Sequence, residues 1–303
     1  MDRATLHASL WMIGSIVSFS LMAVAGREVS GVHDTFEIMF FRSCVGVALV
    51  VGWLMTTGQL ARARTGQPGL HLLRNVGHFT GQNLWFLAIT MAPLAQVFAL
   101  EFTSPIWVLL LAPALLGERV RRVQVLVALI GFAGVLLVAR PWSGTPSPGL
   151  LWAALAAVAF AVTNLLTRRL TRTDAVATIL FWLTGTQLVM GLLCAGIDGR
   201  IAAPTATTLP WLAAIGVAGL AAHLCLTRAL SLAPASTIMP VDFVRLPLIA
   251  ALGAILYGEA IHPAVLVGGA VIAGAAWANL RLGRPQTVAP QQLSGSAARL
   301  HGS

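Results

Sequence analysis

Ionisable and polar side chains are rare within the apolar runs of this 303-residue sequence, and those few could do chemistry. An Asp or Arg at the centre of a membrane span costs roughly 2.5–3.5 kcal/mol on insertion scales, so each needs a partner or a water-lined cavity. Such residues therefore mark functional sites by default. We predict a substrate-binding or coupling set that consists of Arg42, His78, Gln82, Glu101, His223, Asp242 and Arg245.

The two carboxylates of this set, Glu101 and Asp242, are candidates for proton coupling. A buried carboxyl group that takes up and releases a proton could link proton loading to substrate binding. A permanent ion pair within the helix bundle is the alternative. Arg245 lies three residues after Asp242, hence on the same helix face, and this spacing favours the pair.

The basic and neutral members of the set have two interpretations as well. The planar guanidinium groups of Arg42 and Arg245 suit a carboxylate or phosphate, which indicates an anionic or zwitterionic solute, or else they neutralise the buried acids. His78 and Gln82 are one helical turn apart, so they could present a polar stripe to a cavity, joined by His223. A membrane histidine can equally well be an interhelical hydrogen-bond donor.

The composition identifies the elements that must position these side chains. Hydrophobic residues make up 57% of the chain, charged residues 10%, and the mean hydropathy is +0.84, which excludes a soluble fold. A span of ~20 residues crosses the bilayer, so the apolar runs predict ten transmembrane helices. They lie near residues 6–25, 35–56, 71–91, 94–116, 122–139, 149–167, 175–196, 209–231, 235–257 and 263–280.

The ten spans form two copies of a five-helix unit. Displacing the chain by 141 residues aligns it with itself without a gap. In the most similar stretch, Ala88, Ala92, Pro93, Gly117 and Glu118 lie over Ala229, Ala233, Pro234, Gly258 and Glu259. Glu101 and Asp242 are counterparts in the same register, as are Gln82 and His223. We predict a first repeat at residues 1–140, a second at 142–281, and a disordered cytoplasmic tail at 285–303.

Because five is odd, the second copy must enter the membrane from the opposite side, which gives an inverted repeat. All nineteen basic residues are arginines and most of them flank the spans, so the net charge of +9 indicates membrane orientation rather than a nucleic-acid partner. With both termini in the cytoplasm, thirteen arginines fall on the inner side and three on the outer side. Arg74 and Arg119 are counted among the inner ones. The run from residue 6 to 25 is longer than a signal-peptide core of ~7–15 residues, so we expect a retained helix.

The stretch from Ala88 to Gly134, with Pro105 and the ending Leu116 to Glu118, resembles the second half of an EamA domain, and residues 229–275 repeat it. Arg42, within Phe-Phe-Arg-Ser, matches an arginine common in the first EamA unit, whereas the second unit has Leu183 there. The chain thus resembles the drug/metabolite transporter superfamily over residues 6–281. The resemblance implies an all-α integral membrane carrier with a central cavity lined by both halves. Members of the superfamily carry amino acids, S-adenosylmethionine, riboflavin, purines or nucleotide sugars, so no single cargo is implied.

Other functional classes lack their signatures. The sequence has no zinc, nucleotide or dinucleotide motif and no legible nucleophile with its base, so we expect neither an enzyme nor a cofactor. The expected function is secondary active transport of a small organic metabolite across the inner membrane by alternating access, with protons or a counter-solute as coupling partner. A non-transporting receptor or scaffold, or an intramembrane enzyme, is the alternative. The former requires buried charges that are fully paired, without a cavity.

Overall fold

The computed structural model describes residues 3–117, 120–140, 147–197, 199–260 and 262–282, and all of its regular structure is helical. Twelve α-helices occur in these ranges: α1 Arg3–Val29, α2 Thr35–Thr56, α3 Pro68–Met91, α4 Leu94–Glu101, α5 Ser104–Leu116, α6 Arg122–Ala139, α7 Pro148–Leu170, α8 Val176–Ala195, α9 Leu209–Leu232, α10 Ala235–Ile238, α11 Arg245–Tyr257 and α12 Pro263–Leu282. Short 3₁₀ segments occupy Leu60–Ala63 and Met239–Val244. The predicted tail at 285–303 lies outside the described residues.

The helices account for the ten predicted spans, with two corrections. Six stretches of the described chain are long and apolar enough to cross a membrane: α1, α2, α7, α8, α9 and the combined length of α4 and α5. The apolar parts of α6, α11 and α12 are shorter, and α3 is 24 residues long but carries several buried polar side chains. The predicted continuous helices at 94–116 and 235–257 are wrong in detail, because each is interrupted near its middle.

Local sequence explains where several helices begin and end. Asp34 caps α2 by accepting hydrogen bonds from the backbone N–H groups of Phe36 and Glu37, while Glu37 accepts from the Asp34 N–H. Gly117 and Gly258 end α5 and α11 in the left-handed conformation, with φ of 66° and 64°. These two glycines are counterparts in the repeat, so the same sequence signal ends the same helix in each half.

The strongest packing joins the two halves to each other. Helix α1 packs on α9 and α3 packs on α7, and exchanging the repeats converts one of these pairs into the other. Helix α2 packs on its own counterpart α8, and α6 on its counterpart α12. The halves therefore interleave about a pseudo-twofold axis, as expected for inverted repeats.

Glycines permit the closest of these contacts. A Cβ atom at Gly134 in α6 would lie 2.8 Å from the carbonyl oxygen of Gly268, and one at Gly268 in α12 would lie 2.6 Å from that of Gly134. Such close backbone approach is typical of helices that associate in lipid, where no hydrophobic force drives them together. Large apolar side chains such as Ile13, Leu193 and Ile255 remain exposed on the outside, as a lipid-facing surface requires.

Candidate functional site

The two helix interruptions create the site. Helix α4 ends at Glu101 and α5 begins at Ser104, whereas in the second half the 3₁₀ segment Met239–Val244 precedes α11, which begins at Arg245. Glu101 and Asp242 are repeat counterparts, as are Ser104 and Arg245, so both interruptions occur at the same place in the repeat. Interrupted helices of this kind release backbone polar groups and place charged side chains at the middle of a transporter.

Arg245 joins the two halves through the equivalent carboxylates. Its Nη2 donates to Glu101 Oε1 at 2.5 Å and to Asp242 Oδ2 at 2.7 Å. Trp85 Nε1 donates to the other Glu101 oxygen at 2.7 Å. The predicted pairing of Asp242 with Arg245 is thus confirmed, and Glu101 joins the same pair. Two carboxylates share one guanidinium, which leaves this group with a formal net charge of −1 when both acids are ionised.

Aromatic rings enclose the Arg245 guanidinium. Its central carbon lies 5.2 Å from the ring centroid of Phe19 and 5.1 Å from those of Phe98 and Phe102. Cations are attracted to the faces of aromatic rings, an effect that grows when water is excluded. The side chain of Arg245 is 3% exposed, so the ring contacts and the two carboxylates together hold a charge that would be costly alone.

A cavity of about 50 Å³ adjoins this ion cluster at the boundary between the halves. Because one water needs ~10–15 Å³ by the same kind of measure, the space has room for a few water molecules. Six of the seven predicted site residues line it, and Arg42 does not. The other lining residues that bear on its chemistry are Ser15, Phe19, Trp85, Ser104, Phe160, Thr163 and Asn164.

The cavity wall carries polar atoms without partners among the described residues. Both ring nitrogens of His78 and of His223 are buried and make no hydrogen bond to any described residue. Asp242 Oδ1 and Thr163 Oγ1 are also buried without a hydrogen-bond partner. The two histidine rings meet edge to face, with centroids 4.5 Å apart. Since buried polar groups are normally hydrogen-bonded, this concentration of unpaired groups indicates a place for water or a polar solute. Among the described residues there is no group of three potential metal ligands.

Arg42 lies in a separate crevice between α2, α8 and α9. Its Nη1 donates to Gln187 Oε1 at 3.4 Å, and its Nε has no partner among the described residues. Arg42 does not take up the alternative role of neutralising Glu101 or Asp242, because Arg245 fills that role. Arg74 was predicted to lie in an inner loop; instead it belongs to α3 and is 1% exposed.

At one end of the cavity an ion pair joins the two repeats. Arg27, at the end of α1, pairs with Glu259, just after α11, at 2.5 Å. Glu259 also accepts from the backbone N–H of Leu94 at the start of α4, at 3.3 Å, where a helix dipole favours negative charge. Its counterpart Glu118 lies outside the described residues.

At the other end, Arg172 joins the two repeats, whereas Arg168 forms a contact within the second repeat. Arg168, the repeat counterpart of Arg27, donates to the carbonyl oxygen of Leu230, and Arg172 donates to that of Leu116 at 3.1 Å. In the loop before α8, Asp174 accepts hydrogen bonds from Thr65 and His71, both at 2.6 Å. Burial by itself raises the pKa of Asp174, but the hydrogen bonds from these two residues outweigh it and hold the pKa below its ordinary value.

Sequence reasoning missed several residues of the site. Trp85 was not among the predicted site residues, yet it donates directly to Glu101. Ser104 could have been identified from the sequence, because it aligns with Arg245 when the repeats are superimposed. Arg74 gave no signal, since its partners Thr167 and Asn75 are neutral residues whose proximity depends on the packing of α3 against α7.

Comparison with known proteins gives consistent results. The EamA-like transporter family matches residues 6–140 and 147–281. The riboflavin transporter of Rhizobium johnstonii is 31% identical over 283 residues, which cover 90% of each chain. The S-adenosylmethionine uptake transporter of Rickettsia prowazekii is 23% identical over 88% of this chain and 91% of its own, and the pseudopaline exporter of Pseudomonas aeruginosa is 29% identical over 84% and 89%.

A solved structure supports the fold. One crystal structure, described simply as that of a protein, superposes with a TM-score of 0.74 at 22% identity, covering 91% of this chain and 96% of the other. At this identity the likeness supports the fold and says nothing about substrate.

Proposed function

Because the chain belongs to the EamA-like transporter family, whose named relatives here are small-metabolite transporters and not enzymes, we propose that it moves a small polar metabolite by alternating access across the cytoplasmic membrane. Its substrate class is an amino acid, vitamin or nucleoside-like compound with anionic or zwitterionic character. Relatives include both uptake and export proteins, so the direction of transport is not part of the proposal.

The cavity between the interleaved halves carries this proposal. Unpaired polar atoms of His78, His223 and Asp242 face a space bounded by both repeats, and the Arg245 cluster joins the repeats beside it. A scaffold with fully paired charges and no cavity, the alternative class, would have neither feature. Since ~50 Å³ is too small for a metabolite, binding must be accompanied by separation of the halves at one end.

The two ends offer contacts whose alternate breaking would open the site. The Arg27–Glu259 pair joins the repeats at one end. At the other end they are joined by the contact of Arg172 with the Leu116 carbonyl and by the hydrogen bonds of Thr65 and His71 to Asp174. With both termini in the cytoplasm, as the arginine distribution favours, the first contact faces outward and the second inward. In this mechanism each half-cycle breaks one set of contacts while the other stays closed.

Coupling to protons is assigned to the shared ion cluster. Glu101 and Asp242 compete for the single Arg245, so a proton on one acid frees the guanidinium to bind the other more fully. Solute binding beside the cluster would change that competition. Loss of one carboxylate should then uncouple transport from the pH gradient.

The test is reconstitution of the purified protein in liposomes with and without an imposed pH gradient. Riboflavin, S-adenosylmethionine and pools of amino acids and nucleosides serve as candidate cargoes, and Glu101→Gln is compared with wild type. Glu37→Gln is the matched control, because Glu37 is a buried carboxylate that binds the N–H of Ala202 and not the cavity. Gradient-driven accumulation that is lost in Glu101→Gln but kept in Glu37→Gln supports the proposal. No flux of any cargo, or identical gradient dependence in both variants, contradicts it.

A further inference from the structure

The first repeat contains two buried guanidinium groups whose partners are all neutral. Arg42 is 6% exposed and Arg74 is 1% exposed. Arg42 contacts Gln187 and the sulfur of Met39, whereas Arg74 donates to Thr167 Oγ1 and Asn75 Oδ1, both at 2.9 Å. No carboxylate of the described residues forms an ion pair with either arginine. This contrasts with Arg245, which two carboxylates neutralise.

The two arginines belong to one hydrogen-bond network. Gln187, which accepts from Arg42, donates through its Nε2 to the backbone carbonyl of Asn75 at 3.4 Å, and the side chain of Asn75 binds Arg74. The arginines are near enough for their charges to repel one another. The network therefore concentrates two positive charges without an internal counter-charge.

A crevice of about 10 Å³ opens onto Arg42. Glycines make the room: Gly46, Gly216 and Gly219 line it together with Ser43 and Gln187, and a Cβ atom at Gly219 would lie 2.5 Å from Arg42 Nε. That Nε–H is the group without a partner. The crevice thus presents an unused guanidinium donor and the neutral amide of Gln187. Its volume is that of about one water molecule, so an oxyanion can enter only when the surrounding helices separate, as alternating access requires.

Physical chemistry favours an anion in this place. A charge taken out of water costs several kcal/mol unless it is paired, and neutral amide and hydroxyl dipoles recover only part of that cost. A carboxylate or phosphate oxygen pair fits the fork of an arginine and forms short, charge-assisted hydrogen bonds. An oxyanion at Arg42 would satisfy the free Nε–H and offset the repulsion from Arg74.

We infer that the Arg42 crevice is an oxyanion subsite, which binds the carboxylate or phosphate group of the transported solute. The inference rests on the proposed transport function for the identity of the ligand, but not for binding itself. Helix α9 connects the two regions, because His223 lines the central cavity and Gly219, one helical turn before it, lines the Arg42 crevice. A solute with one acidic group at Arg42 and its remainder beside His78 and the Arg245 cluster would span a cationic and an acidic region. The substrate class is then an organic acid, a zwitterion or a phosphate ester.

Binding of acetate and of inorganic phosphate to the detergent-purified protein tests this inference directly. Dissociation constants are measured from the rise in thermal unfolding temperature at fixed ionic strength, with chloride as the reference anion. Arg42→Gln is the main variant. Arg228→Gln is the matched control, because it removes a positive charge from an exposed position on α9. Gly219→Ala is a second variant, which keeps the charge but displaces the guanidinium.

We expect Arg42→Gln to weaken oxyanion binding at least tenfold, Gly219→Ala to weaken it severalfold, and Arg228→Gln to change it less than twofold. Equal affinity in wild type and either of the first two variants overturns the inference, and Gly219→Ala decides the matter if Arg42→Gln does not fold. The same measurements are repeated with phosphatidylglycerol added. If phosphate and acetate raise the unfolding temperature only when this lipid is absent, the site binds a lipid headgroup instead of the solute. Oxyanion binding without transport of any cargo would contradict the proposed function and leave the subsite in place.

Discussion

Replacing Arg245 by Met tests whether one guanidinium holds the two halves together at their centre. The substitution preserves an unbranched side chain among Phe19, Phe98 and Phe102, but it removes the only charge that contacts both Glu101 and Asp242 in the described structure. Both acids then remain buried, 10% and 12% exposed at the side chain, beside each other and without a counter-charge.

The expected loss follows from that exposure. Removing one partner of a buried ion pair costs roughly 3–5 kcal/mol, because the remaining charge is left unpaired. At ~2–4 °C per kcal/mol this corresponds to a fall of roughly 6–20 °C in unfolding temperature. Arg228→Met, at an exposed position on α9, should change the temperature by less than ~2 °C, since surface substitutions cost within about 0.5 kcal/mol.

The assay is thermal unfolding of the purified variants in one detergent, followed by intrinsic tryptophan fluorescence. A triple variant, Arg245→Met with Glu101→Gln and Asp242→Asn, removes the unpaired charges and should regain at least half of the lost temperature, while failing to transport. If Arg245→Met unfolds within ~2 °C of wild type, or if the triple variant is no more stable than the single one, the ion cluster does not stabilise the fold as argued.

Three further outcomes are expected. Gly268→Val should lower the unfolding temperature by several degrees, because its side chain would meet the Gly134 carbonyl and overpacking costs ~1–3 kcal/mol; a small effect would mean that α6 and α12 separate readily. Asp174→Asn should cost ~1.5–3 kcal/mol near neutral pH through its bond to His71. Because the pKa of Asp174 in the folded protein is below its ordinary value, the stability difference between wild type and Asp174→Asn should be constant above about pH 5 and shrink as pH falls below about 4. A difference in unfolding temperature that grows on acidification would contradict this. Glu259→Gln should speed labelling of a Ser15→Cys reporter by an impermeant thiol reagent about tenfold, equivalent to ~1.4 kcal/mol, and unchanged labelling would rule out a gate there.

The sequence predicted the spans well because apolar length is a strong signal in membrane proteins. It did not reveal the interruptions after Glu101 and around Asp242, since both adjoining stretches are apolar and the summed length still fits one span. The contact that Glu101 makes with Arg245 at this interruption joins residues 144 positions apart, so it is not visible in the local sequence. Only Pro105, just after the interruption, gave a local hint.

The site was predicted in membership more than in arrangement. Charge within an apolar run was enough to identify Glu101, Asp242 and Arg245. The spacing of three residues correctly predicted the pairing of Asp242 with Arg245. The partner of Glu101 lies 144 residues away in the chain, so its identity required the fold. Arg74 was predicted to lie in a loop because its position near the end of a span is typical of loop arginines. Its hydrogen-bond partners are neutral residues, so no acidic residue in the sequence indicated that it is buried.

The interleaving of the halves also imposes an order on biosynthesis. Helix α1 can pack on its principal partner only after α9 has been synthesised, and Glu101 can pair with Arg245 only after 144 further residues have been added. At ~5–20 residues per second, the first half remains in the membrane for roughly 7–30 s with its buried acid unpaired. Neither half can therefore complete its own core, and nascent chains that stall midway should be recognised and degraded. The two halves expressed as separate polypeptides should accumulate only together.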